Sequence, residues 1–94
     1  MLTYKAMYKF VADGVHAEVL DFPGAISCGA DLDEARRQLE GALTDMAETC
    51  LLNHEPLPQP NPTVTDADAD LEEPIHLILT AASRVVVSPE PAVS

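Results

Sequence analysis

The run Asp13-Gly14-Val15-His16-Ala17-Glu18-Val19-Leu20-Asp21-Phe22-Pro23-Gly24-Ala25-Ile26-Ser27-Cys28-Gly29-Ala30-Asp31-Leu32-Asp33-Glu34-Ala35 decides the fold, because its local pattern changes repeatedly over a short span. Asp13-Gly14 accepts positive φ and suits a two-residue hairpin turn. Before it, Leu2, Tyr4, Ala6, Tyr8 and Phe10 alternate with Thr3, Lys5, Met7, Lys9 and Val11. That period of two predicts a strand with one well-buried face. After the turn, Val15, Ala17 and Val19 alternate with His16, Glu18 and Leu20, so a second strand returns along the first. Phe22-Pro23-Gly24 then predicts a break, with Gly24 in the left-handed position of a type II turn. A short third strand over 25–28 follows, with Ile26 and Cys28 on one face and Gly29 at its end.

Asp31 and Glu34 predict a helix start. Asp31 accepts from the open N–H groups of the first turn, and Glu34 reaches back as in a capping box. Leu32, Ala35, Leu39, Ala42, Leu43, Met46, Ala47, Cys50 and Leu51 keep helical spacing, with Asn53-His54-Glu55-Pro56 ending the helix. Its outer face carries Asp33, Arg36, Arg37, Glu40, Thr44, Asp45 and Glu48, with Asp33 spaced to pair with Arg37. Gly41 interrupts this consistency at a cost of about 1 kcal/mol relative to alanine, which a closely approaching neighbour or partner would offset.

Beyond the helix, Pro56, Pro58, Pro60 and Pro62 make the chain extended and semi-rigid. The acidic segment 66–73 is expected to be solvated. Ile75, Leu77 and Leu79 alternate with His76 and Ile78 and predict a fourth strand, which Val85-Val86-Val87 would extend or pair with. The expected architecture is α+β: an antiparallel three-stranded sheet packed on one long helix, with a fourth, C-terminal strand. Residues 1–60 form the core, 61–73 the connector, 74–88 the C-terminal strand segment and 89–94 a flexible tail.

Charge narrows the function. Five Lys and Arg stand against sixteen Asp and Glu, a net charge of −11. Nucleic-acid binding needs clustered cations, and the only adjacent basic pair, Arg36-Arg37, lies among Asp33, Glu34 and Glu40. Direct binding of DNA or RNA by the isolated chain is not expected, whereas an acidic surface favours fast encounter with a basic partner. Two cysteines, Cys28 and Cys50, are too few for a disulfide framework and are expected as buried reduced thiols. Lys5, Lys9 and Asp13 interrupt any early apolar run, and no stretch approaches membrane-span length, so the expected location is the cytoplasm.

No catalytic or metal motif emerges. Asp66-x-Asp68-x-Asp70 begins like a calcium loop, but Leu71 and Leu77 occupy the positions that need glycine and a bidentate Glu. His16, His54 and His76 fall on different elements without ligand spacing. A thiol nucleophile at Cys28 or Cys50 would need a base and an orienting group nearby, and no local motif supplies them. The expectation is a non-enzyme without cofactor or metal.

The run 13–35 resembles the HicB-like antitoxin family, whose signature is a hairpin, a Phe/Leu-Pro-Gly turn, a Gly before the cap, and a helix opening with Glu-Ala. The Pro-rich exit Glu55-Pro56-Leu57-Pro58-Gln59-Pro60 is similar to the family's helix ending, so the resemblance covers roughly residues 1–60. It implies a truncated RNase H-like β-β-β-α-β fold and an antitoxin that masks a small basic HicA toxin, an mRNA-cleaving protein with a double-stranded-RNA-binding fold. Many members add a C-terminal DNA-binding domain. Here residues 61–94 hold Arg84 as their only basic residue, and no such domain is recognisable. The second expectation is an orphan homo-oligomeric scaffold or regulator.

Candidate residues follow from these readings. Glu18, Asp21, Asp33, Glu40, Asp45 and Glu48 are candidates for contacting a protein partner. Asp13, Gly14, Pro23, Gly24, Asp31 and Glu34 are the turn and cap residues. Ile75, Leu77 and Leu79 are candidates for the interface of a homodimer or dimer of dimers.

Overall fold

The hairpin, the proline turn and the capped helix are all present in the computed structural model, which describes residues 1–79 and 85–88. The tail 89–94, Arg84 and the side chain of Leu79 lie outside the described residues. The elements are β1 (Leu2–Val11), β2 (Gly14–Val19), β3 (Ile26–Gly29), α1 (Leu32–Leu52), β4 (Leu71–Leu79) and β5 (Val85–Ser88). They build a five-stranded sheet in the order β3-β2-β1-β4-β5. Every neighbouring pair is antiparallel, and α1 covers one face, so the fold is α+β.

Local chemistry accounts for the elements, with one shift. Val11 pairs with Gly14, so the hairpin loop is Ala12-Asp13 rather than Asp13-Gly14. Gly14 instead opens β2 at φ +152°, where a Cβ would stand 2.4 Å from the Gly29 carbonyl oxygen. The proline turn is as expected: Ala25 N donates to Phe22 O at 3.2 Å, and Gly24 has φ +91°. That turn drops the Phe22 ring edge-on against Tyr4, at 5.2 Å between centroids.

The core lies between α1 and one sheet face. Tyr4, Ala6 and Tyr8 of β1, Val15, Ala17 and Val19 of β2, and Ile75 and Leu77 of β4 meet Ala35, Leu39, Leu43 and Ala47 of α1. Phe10 departs from the buried stripe and is 54% exposed. Pairing of β1 with β4 stops at Tyr8 opposite Leu71, and beyond it Phe10 N donates to the Asp70 carboxylate instead. Met7 departs the other way, being buried on the face away from the helix.

Asp31 Oδ1 accepts from Glu34 N at 2.8 Å. Glu34 reaches back to Ala30 N at 3.2 Å, one residue before the cap. Asp31→Ala should therefore lower stability by about 0.5–2 kcal/mol. Urea unfolding tests this, and midpoint and slope equal to wild type would show that Asp31 does not cap the helix. At the far end, Glu55 N donates to Cys50 O and His54 N to Leu51 O, a Schellman arrangement. His54 takes the left-handed position at φ 56°.

The C-terminal half corrects several expectations. Strand β4 begins at Leu71, inside the segment expected to be solvated, because Glu72 and Glu73 both find partners in the fold. It is an interior strand, flanked by β1 and β5. Ile75 and Leu77, proposed for an oligomer interface, are instead sealed in the chain's own core at 3% and 0% exposure. A Cβ on Gly41 would meet nothing within 4 Å among the described residues, so none of them offsets its helix cost.

Candidate functional site

The six acids proposed for partner contact do not share one surface. Asp21 is internal in role. Its Oδ1 accepts from Lys5 N and its Oδ2 from Asn61 N, each at 2.8 Å, so it fastens the Pro-rich connector to the start of the sheet. Glu18 sits on the sheet face opposite the helix, because Ala17 and Val19 beside it turn into the core. Its carboxylate lies 3.6 Å from His16 Nε2.

The other four, Asp33, Glu40, Asp45 and Glu48, project from α1 along the side left free by the buried stripe. Asp33, Asp45 and Glu48 are exposed, and Glu40 is half-buried. Burial raises the Glu40 carboxyl above its ordinary range, against the lowering effect of Arg37. Asp33 approaches Arg36 at 3.8 Å rather than the expected Arg37. Arg36 is drawn away because it forks onto Glu73 of β4, Nε to Oε1 at 2.8 Å and Nη2 to Oε2 at 2.9 Å. Its guanidinium also lies over the Tyr8 ring, 5.8 Å from the centroid. This paired fork holds Glu73 below the usual carboxylate range, while burial pushes the Tyr8 hydroxyl up. Arg37 acts on Glu40, and among the described residues no ion pair reaches Asp45 or Glu48 farther along the helix.

The connector is folded onto the sheet. Tyr4 Oη donates to Pro58 O at 2.8 Å, and burial pushes its pKa up to about 12. Lys5 Nζ donates to Val64 O at 2.7 Å and to Pro62 O at 3.3 Å. Glu72 accepts from Asp66 N and Thr65 Oγ1, the first of which chiefly lowers its pKa. The Asp66, Asp68 and Asp70 run is engaged in the same way: Asp66 Oδ1 accepts from Asp68 N, and Asp70 Oδ2 from Phe10 N.

One constellation was invisible in the sequence. Cys28, expected to be buried, is exposed on β3, whereas Cys50 is partly buried. The register sets His16 opposite Cys28 and Lys9 opposite His16 on the face away from the helix. Only strand register could have revealed it, since Lys9 and Cys28 belong to different ends of the β1–β3 meander. Among the described residues no three His, Cys, Asp or Glu side chains converge as metal ligands. No described helix is long and apolar enough to cross a membrane. Comparison of the chain with protein-family models, curated proteins and solved structures finds no match.

Proposed function

We propose that this chain is a HicB-like, cytoplasmic, non-enzymatic antitoxin that masks a small basic HicA-type toxin. The reading rests on the ordered run from hairpin through Phe22-Pro23-Gly24 to the Asp31 cap. The truncated RNase H-like relationship is part of the same proposal. The acidic side of α1 supports it electrostatically: Asp33, Glu40, Asp45 and Glu48 present carboxylates in a chain of net charge −11. Such a face complements a cationic RNA-binding surface and speeds encounter with it.

The test is kinetic. Association with a HicA-type toxin should slow about tenfold or more between 0.1 and 1 M salt, where the screening length falls from about 10 to 3 Å, while dissociation changes less. Reversing Asp33, Glu40, Asp45 and Glu48 to Lys together should slow association and relieve inhibition of RNA cleavage without unfolding the chain. Salt-independent association, or full inhibition by the reversed variant, would overturn the proposal. A second reading, a homo-oligomeric scaffold without a toxin, is favoured by the outer position of β3, which among the described strands is hydrogen-bonded to β2 alone. A stable dimer or tetramer in ultracentrifugation, with no binding to basic toxins, would select it.

A further inference from the structure

On the open face of the sheet, three reactive or charged side chains meet in a row. Lys9 faces His16 across β1 and β2, and His16 faces Cys28 across β2 and β3. Directly opposed residues on neighbouring strands share a face, with Cβ atoms about 4.5–5.5 Å apart. The free thiol thus stands one strand from an imidazole and two strands from an ammonium. Glu18 adds a carboxylate 3.6 Å from His16 Nε2. The body of the helix covers the opposite face, and among the described residues of α1 only the first-turn Glu34 borders this row.

The row forms one wall of a groove of about 740 Å³, lined also by Asp13 and Glu34. That volume suits a small ligand, for which sites of about 300–1,000 Å³ are usual. Among the described residues neither Lys9 nor Asp13 has an ion-pair partner. The groove therefore offers a cation and an anion without ion-pair partners, together with a thiol. That combination matches a small molecule bearing both a carboxylate and an ammonium.

We propose that Cys28 is a modification site at which the chain forms a mixed disulfide with a small zwitterionic disulfide of amino-acid or peptide type. Lys9 holds the carboxylate of the incoming molecule, and Asp13 holds its ammonium. Cys28 loses its proton and Sγ attacks one sulfur of that disulfide; the new S–S bond forms as the old one breaks. The departing thiolate takes up one proton, carried by His16. One thiol and one disulfide enter, and one mixed disulfide and one thiol leave, with the small disulfide as the only oxidant.

The experiment uses the full reduced chain, treated separately with glutathione disulfide and with neutral hydroxyethyl disulfide. Modification of Cys28 is timed by peptide mass, in the folded chain and in urea, with the partly buried Cys50 as an internal reference. The rate ratio of glutathione disulfide to neutral disulfide should be about tenfold higher in the folded chain than in the unfolded one. Lys9→Gln and Asp13→Asn should each return that ratio toward the unfolded value, with the circular dichroism spectrum unchanged. His16→Gln should slow both reactions and flatten their pH profile. A folded ratio equal to the unfolded one, or a ratio untouched by Lys9→Gln, would overturn the assignment.

Discussion

Leu39→Ala is expected to remove about 2–5 kcal/mol of stability, the range for truncating a fully buried leucine. Leu39 has no exposed surface and lies in the middle of the stripe that seats α1 on β1, β2 and β4. Part of the loss is transfer of the missing methyl and methylene groups, and part is the cavity left behind. At about 0.05–0.15 kcal/mol per residue, a chain this size holds only about 5–14 kcal/mol in all. One substitution therefore removes a large share of the whole. Urea unfolding should show a lower midpoint at constant slope. The control is Gln38→Ala on the exposed side of the same turn, expected within about 0.5 kcal/mol of wild type. Equal midpoints for the two variants would mean that the helix is not seated through its centre.

Asp21→Ala should lower stability by about 2–4 kcal/mol: hydrogen bonds to a charged group contribute about 1.5–3 kcal/mol each, Asp21 accepts two, and the exposed bond from Asn61 N counts for less than the part-buried one from Lys5 N. The effect should also be local. Amide exchange should rise around 57–64, where the connector leaves the core, before it rises in α1. Asp21→Asn keeps one acceptor oxygen and should lose about half as much. A solvated, partner-contacting Asp21 would behave differently, with stability within about 0.5 kcal/mol of wild type. That outcome would show that the connector is held by other contacts, chiefly those of Lys5 and Tyr4.

What could be read from the chain follows the distance over which each feature is specified. The β1 alternation, the Phe22-Pro23-Gly24 turn and the Asp31 cap are written in adjacent residues, and all three are present in the fold. The start of β4 is not local. Glu72 and Glu73 read as solvated acids until Lys5 and Arg36, more than thirty positions away, are placed beside them. Asp21 misleads for the same reason, since both its partners are backbone N–H groups on other elements. Arg36 itself reaches off the helix: it forks onto Glu73 on the sheet at 2.8 and 2.9 Å, while Asp33 one turn back on α1 comes only to 3.8 Å. The row of Lys9, His16 and Cys28 depends on two strand registers at once, and no single stretch of sequence encodes that.

The place of β1 in the sheet has a consequence for synthesis on the ribosome. Its hairpin partner β2 follows at once, but its other neighbour, β4, ends at Leu79. At about 5–20 residues per second, translation takes ~3–14 s to pass from the end of β1 to the end of β4. Throughout that interval the nascent meander and helix hold one flank of β1 with unpaired N–H and C=O groups. Such a flank is a template for any extended chain within reach, including a second nascent copy. Lys5 and Lys9 on β1, and then the folded-down connector, are the features that discourage that pairing until the chain's own β4 arrives.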